Sequence, residues 1–501
     1  MEGSRWGGGR QQGTMGLTRE EIGVLYAAGV AAVSVAVEQL QAVIAGQQEQ
    51  IAALSVRVKE LEDRAKTTSR TSSKPPASDG YQRPPRSLRQ RSGKGVGGQP
   101  GHEGSARSLV AEPDQVIRHR PAVCATCQGS LDGVEASGYE RRQVVDLPPL
   151  RLEVAEHRAE AKTCPRCQQV TRGAFPAEVT TTVQYGAGIK ALAVYLLTYH
   201  LVPYERTSRL LGDLFGHAPA KGTLQTAVET CAAGLAGVEE HIADALRAGA
   251  VLHNDETGVR VAGKLHWVHV ASTARLTHYG VRTKRGSAAM TAIGILPGFQ
   301  GTSVHDGLAA YRQYGCQHAL CNAHHLRELT AIEEHDKQPW ATEMKDLLGT
   351  IKRHIATAQV QGETRIDDTV GADFVTRYQA ALAAGYAANP PPTAVNSTRR
   401  GRPKQSKARN LLDRLRDHQD AVLAFMTDWR VPFDNNQAER DLRMIKVQQK
   451  VSGCFRTPTG AAWFCRVRGY LSTLAKQGQR LLPALQTVFA GQPLLPNLSA
   501  G

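Results

Sequence analysis

A chain of 501 residues, 41% of them hydrophobic, is long enough for roughly two to four domains and a sizeable core. Its 61 Lys and Arg against 46 Asp and Glu leave a formal charge of +15. That balance favours phosphate backbones and, on charge alone, also admits acidic substrates or anionic membranes. Nine cysteines, with two Cys-x-x-Cys pairs among them, fit metal binding in a reducing compartment rather than a secreted disulfide framework. No complete Gly-x-x-x-x-Gly-Lys-Ser/Thr phosphate loop occurs, since Gly258 to Lys264 has that spacing but is followed by Leu265, so ATP-driven action is not indicated.

Residues 22–37 are apolar, but Glu20 and Glu21 precede them and the run is short for a membrane span. A cytoplasmic protein without a membrane partner is expected. The same stretch opens a heptad pattern, with Val30, Val37, Ile44, Ile51 and Val58 at a, and Val33, Leu40, Gln47, Leu54 and Leu61 at d. β-Branched residues at a with mostly Leu at d favour a parallel two-stranded coiled coil over 22–66, giving a homodimer or higher oligomer. A single amphipathic helix packed on its own domain is the alternative.

From Thr67 to about Arg107 the composition turns to Ser, Pro, Gly and Arg, as in Arg83-Pro84-Pro85-Arg86. Such a segment cannot bury a core and reads as a basic disordered linker or a DNA-binding arm. Over 108–180, Cys124 and Cys127 with Cys164 and Cys167 supply four thiolates for tetrahedral structural zinc in a small ribbon. Strand-like sequence such as Arg142 to Leu147 separates the pairs. Whether this module contacts DNA or only stabilises the fold stays open. Within 183–240, Ser208 to Phe215, a Gly216–Pro219 turn and Lys221 to Thr230 form a helix-turn-helix candidate, although such pairs are also common in ordinary cores.

Three β-rich segments follow (251–261, 265–272, 276–283), then an amphipathic helix from about Ser287 and a strand from about Gly301. That is the order of a ribonuclease H-like core, its first and fourth strands carrying Asp255 and Asp306. The core is expected over 248–332 and 431–475, split by a helical insertion at 333–430, with a C-terminal helix and tail at 476–501. In the insertion, the loop Arg399-Arg400-Gly401-Arg402-Pro403-Lys404 marks Arg400, Arg402 and Lys404 as DNA contacts, and resembles the AT-hook core that enters a narrow minor groove. Glu439 then opens a basic helix with Arg440 and Arg443. Three such carboxylates can hold two magnesium ions, or manganese, which clamp the oxygens of a phosphodiester during in-line displacement. Each also has an ordinary reading: a capping box from Asn436 to Glu439 with a Glu439–Arg443 pair, an N-cap at Asp306, a turn at Asp255.

The blocks His253-Asn254-Asp255-Glu256-Thr257, His305-Asp306-Gly307 to Tyr311, Cys321-Asn322-Ala323-His324 and Asp434-Asn435-Asn436 to Arg443 resemble the bacterial insertion-sequence transposases of the family numbered sixty-six. The resemblance runs from the coiled coil near residue 22 to about residue 490. It implies a DDE transposase with a ribonuclease H-like fold, in which Asp255, Asp306 and Glu439 are the metal-holding triad. Cys321 and His324 match a Cys-x-x-His signature that follows the second aspartate in such enzymes; a buried thiol and a satisfied core histidine are the plain alternative. The implied partners are the terminal inverted repeats of the element and target DNA. Water would cleave at the element ends and the freed 3′-hydroxyl would attack the target, with Asp255 serving both metals and Arg440 and Arg443 holding phosphates. A DNA-binding repressor descended from such an enzyme, and a nuclease that cuts without joining, are the rivals.

Overall fold

The computed structural model describes residues 19–66, 101, 107–391 and 405–499. The basic segment at 67–107 therefore falls almost wholly outside the described residues, as do Arg400, Arg402 and Lys404. The chain divides into two units, Met1–Leu88 and Arg89–Gly501.

In the first unit, α1 (Arg19–Ala27) and α2 (Val30–Lys66) are separate helices. The helix expected from residue 22 is thus interrupted at Ala28–Gly29, and an unbroken heptad run begins only at Val30. α2 is about 55 Å long at 1.5 Å per residue. Its a and d side chains Val37, Leu40, Ile44, Ile51, Leu54, Val58 and Leu61 are exposed along one chain. By length and composition alone, Val30–Ser55 is also apolar enough to cross a membrane.

Among the described residues of the second unit, 107–186 hold little regular structure. Strands β1 (Ala161–Thr163) and β2 (Val170–Arg172) pair antiparallel. The strand-like stretch Arg142 to Leu147 forms no strand, and Val144, Val145 and Leu147 are exposed. Its β-branched residues find neither a partner strand nor a core to cover, and β propensity without such packing does not hold a strand. Four helices follow: α3 (Ala187–Val194), α4 (Tyr204–Phe215), α5 (Lys221–Gly234) and α6 (Ala236–Arg247).

A five-stranded mixed sheet positions the site. β3 (Val251–Val261), β4 (Lys264–Ser272) and β5 (Thr277–Arg282) form an antiparallel meander at the three β-rich segments of the sequence. After helix α7 (Ser287–Ile293), β6 (Thr302–His305) returns parallel to β3, and β7 (Gln317–Leu320) adds parallel to β6. The spatial order is β5-β4-β3-β6-β7. Gly301 lets β6 approach β3, because a Cβ there would lie 2.3 Å from the Ala250 carbonyl oxygen.

Side chains alternate across this sheet. Val259, Val261, Val268 and Val270 pack with Ala438, Leu442 and Ile445 of α13 (Asn436–Ser452) and Phe464 of α14 (Pro458–Lys476). On the other face, Leu252 and Ala271 join Leu246, Met290 and a helical core that includes Leu485 of α15 (Leu481–Phe489). Between β7 and α13 the described residues form the helices α8 (Asn322–Ala331), α9 (Pro339–Val360), α10 (Asp368–Ala388), α11 (Lys407–Asp417) and α12 (Gln419–Thr427). These helices bury Trp340, Leu347, Tyr378 and Leu412 together with Val304 and Leu320 of the sheet, so the insertion grows from the β6–β7 edge. Tyr378, fully buried, donates its hydroxyl to the Leu415 carbonyl at 2.8 Å.

Candidate active site

The parallel β3–β6 ladder ends at the His253–Val304 pair, and both strands carry a carboxylate just beyond it. Asp255, Glu256 and Asp306 each present an oxygen within 4.8 Å of the others. Asp255 Oδ1 accepts the Glu256 N–H at 2.8 Å, and Asp306 Oδ1 accepts the Leu308 N–H at 3.0 Å. Asp306 therefore organises a turn, not the start of an α-helix. Burial, then the negative charges of Glu256, Asp306 and Glu439, push the Asp255 carboxyl up to about 8. A cation here would relieve that crowding, and hard oxygen donors of this kind suit magnesium or manganese.

Glu439 lies in the first turn of α13. The expected capping box does not form. The residue at the cap is Asn435, which makes no side-chain cap bond. Instead its Nδ2 donates to the Asn254 carbonyl at 2.9 Å and its Oδ1 meets His253 Nδ1 at 2.8 Å. The Glu439 carboxylate faces α8, 3.9 Å from His324 Nε2 and 3.7 Å from Arg327 Nη2. It groups within 4.8 Å of Cys321 and His324, whereas the two aspartates group with Glu256. The expected triad is thus divided between two adjoining clusters, linked by the charge of Glu439 acting on Asp255.

Cys321 has a definite place in this architecture. Its N–H donates to the His305 carbonyl at 3.0 Å, and its sulfur accepts the Asn435 N–H at 3.1 Å. With the Asn435–Asn254 bond, one relay joins neighbours of all three carboxylates. Burial raises the Cys321 thiol to about 11, so it is a protonated strut. Burial and then Arg327 lower His324 to about 4, leaving it neutral.

Three residues of the site escaped sequence reasoning. Glu256 Oε2 accepts the Tyr311 hydroxyl at 2.6 Å, and its Oε1 accepts Arg285 Nε at 2.7 Å. Glu256 stood beside Asp255 and Tyr311 closed the block that begins at His305, each without an assigned role; Arg285 carried no spacing that would single it out.

The zinc-ligand candidates form two matching knuckles. In the first, Cys124 N–H donates to the Gly129 carbonyl and Gln128 N–H to that of Cys124; in the second, Cys164 N–H donates to Gln169 and Gln168 N–H to Cys164. Val123 bridges Ser130 as Thr163 pairs with Val170. Gln128 and Gln168 both turn at φ 58°. Amide N–H groups of Cys127 and Thr126 lower the Cys124 thiol, and those of Cys167 and Arg166 lower Cys164, which favours the thiolates that zinc requires. All four are free thiols, and no group of three or more among them closes within 4.8 Å.

Arg440 and Arg443 are exposed on α13, in a stripe continued by Lys446 and Lys450. α4 and α5 form a helix pair whose turn carries Gly216 in the left-handed region; Ser208 Oγ donates to the Pro219 carbonyl at 2.7 Å. Buried Leu224, Val228 and Cys231 hold α5 inward, while Lys221, Thr223, Gln225 and Thr226 face out.

A paired-carboxylate site on a mixed sheet, a basic helix beside it and a twin-knuckle module appear together in a chain that matches transposases. Residues 121–168 match the zinc-finger binding domain of transposase IS66, which supports zinc at the knuckles. Residues 182–463, more than half the chain, match the Transposase IS66 family, and the chain belongs to that family. Residues 27–108 match a family of unknown function. No curated protein matches the chain.

Proposed function

We propose that this chain is a DDE transposase that cleaves at the ends of its insertion sequence and transfers the freed 3′-hydroxyl into target DNA. The observation that carries the reading is the meeting of Asp255 and Asp306 at the open end of the β3–β6 ladder, with Glu439 entering from α13. The strand order fits a ribonuclease H-like core with a helical insertion. Asp255, Asp306 and Glu439 are the residues that would hold two magnesium or manganese ions. Such ions, when bound, activate water and stabilise the charge that builds on the attacking and leaving oxygens.

The chain supplies the rest. His324 and Arg327 orient Glu439 from behind, and the Cys321–Asn435 relay fixes the spacing of the three carboxylate segments. Arg440 and Arg443 offer paired N–H donors to phosphates flanking the scissile bond. In cleavage, water adds to phosphorus and the 3′-oxygen leaves with a proton; in transfer, that hydroxyl attacks a target phosphodiester and displaces its 3′-oxygen. The knuckles, the α4–α5 pair as a helix-turn-helix, and a dimer through α2 would hold two DNA ends together.

The test uses labelled element ends and a target plasmid. The unmodified chain should give both cleaved ends and joined product with magnesium. Asp255→Asn, Asp306→Asn and Glu439→Gln should each lose cleavage by orders of magnitude while retaining DNA binding. Cleavage without joined product would identify a nuclease, and binding without any cleavage a repressor. Full activity in Glu439→Gln would remove that residue from the site.

A further inference from the structure

Glu256 is a fourth carboxylate beside the two aspartates, with no side-chain exposure. A metal ligand needs a free oxygen lone pair aimed at the ion, and of the roughly four such sites on a carboxylate Glu256 has three taken by hydrogen bonds. Arg285 takes Oε1 through Nε and Nη2, each at 2.7 Å, and Tyr311 takes Oε2 at 2.6 Å. Both partners lead back to Asp306. Arg285 Nη2 lies 3.8 Å from Asp306 Oδ2, and its guanidinium sits over the Trp267 ring at 5.0 Å. Tyr311 is buried and stacks on His305, the residue before Asp306, with centroids 4.5 Å apart and planes 19° apart. Gly307, at φ 94°, turns the chain directly after Asp306, so the loop returns Tyr311 beneath Glu256.

We infer that Glu256 is a positioning residue: through Tyr311 it pins the loop that carries Asp306, and through Arg285 it sets a cation beside that carboxylate, without itself ligating metal. The inference rests on the metal-site reading above. It separates two roles that proximity alone would merge, since three carboxylates within 4.8 Å would otherwise all pass for ligands. Buried partners of metal ligands commonly govern affinity in this way, and losing one costs about ten- to a hundred-fold.

The experiment measures Mn2+ binding to the full chain by electron paramagnetic resonance, taking as site-specific the fraction lost in Asp306→Asn. Tyr311→Phe removes only the hydroxyl, and Glu256→Gln keeps the shape while weakening the Arg285 pair. Each should weaken Mn2+ binding about ten- to a hundred-fold and leave the number of sites unchanged, with saturating Mn2+ restoring occupancy. Loss of a whole site in Glu256→Gln, with normal affinity in Tyr311→Phe, would overturn the inference by making Glu256 a ligand. A lowered melting temperature with unaltered Mn2+ affinity in both variants would overturn it in favour of packing alone. Absence of any Mn2+ binding by the unmodified chain, or binding that Asp306→Asn leaves intact, would instead overturn the metal-site reading and this inference with it.

Discussion

Asp255 and Asp306 stand level with each other across the β3–β6 ladder, each the second residue beyond the His253–Val304 pair. Parallel strands held in that register bring residues at the same step together. Beyond the last pair β3 and β6 share no further ladder bonds, and the two strands part around a shared space for the two carboxylates. One consequence is electrostatic, and it can be titrated.

Because burial and neighbouring carboxylates raise Asp255 from the usual 3.8 to about 8, the folded metal-free chain holds a proton that the unfolded chain gives up. The contribution of this group to stability is present below about pH 4 and lost as pH rises through about 8. Melting temperature without divalent ions should therefore fall over that window, and Asp255→Asn should flatten the fall. A bound cation must displace the same proton. Mn2+ affinity should thus rise by up to about tenfold per pH unit between about pH 6 and 8 and then level off. Calorimetry at three pH values checks this, and a flat profile would mean that Asp255 carries no such proton.

The register itself depends on Gly301. An added Cβ would lie 2.3 Å from the Ala250 carbonyl oxygen and 2.7 Å from that of Gly249, and backbone oxygens cannot swing aside. Gly301→Ala should cost about 1–3 kcal/mol or more in urea unfolding. Gly237→Ala, at an exposed site in α6 with nothing within 4 Å, is the control and should be neutral or stabilising by up to about 1 kcal/mol. Equal effects from the two changes would rule out so close a strand approach.

The sheet was legible in the sequence because β3, β4 and β5 are rich in β-branched and aromatic residues and are divided by short turns, and because Asp255 and Asp306 each lie in or beside such a run. Long-range hydrogen bonds were not legible. The capping box at Asn436 and Glu439 was plausible locally, but Asn435 finds partners at His253 and Asn254, far away in the chain. Glu256, Arg285 and Tyr311 come together only through the fold. Val144, Val145 and Leu147 show the converse, a strand pattern with nothing to pair with.

For the knuckles, the expected result is about one zinc per chain in purified protein, lost in Cys164→Ser. The matched hydrogen-bond pattern of the two turns motivates this, since each presents its cysteines in the same way. The four sulfurs would close on the ion as it binds. Unchanged zinc content in Cys164→Ser would show that another set of ligands holds it.

Along α2, Leu54 and Leu61 lie on the heptad stripe with 64% and 50% of their surface exposed in the single chain. Pairing with a second α2 would bury them, at about 25 cal/mol per Å² of apolar surface. Replacing both with Glu should give monomers by light scattering, whereas the unmodified chain should be dimeric or larger. An unchanged mass would assign oligomerisation to some other surface.

Arg440 and Arg443 follow Glu439 on the same helix, so any DNA held by them runs past the carboxylates, and Lys446 and Lys450 extend that path. Contacts of this kind neutralise phosphates and release counterions, which makes them sensitive to salt and indifferent to sequence. Arg440→Ala with Arg443→Ala should weaken binding to every duplex and reduce the slope of log affinity against log salt by about 1 per arginine. The basic segment 67–107 and the loop bearing Arg400, Arg402 and Lys404 should behave alike when deleted, if they act as phosphate contacts. Mn2+ binding should survive the double change, because neither arginine is paired with Asp255, Asp306 or Glu439 in the structure. A loss confined to the element ends would show that α13 reads bases, and an unchanged salt slope would place the DNA on another face of the sheet.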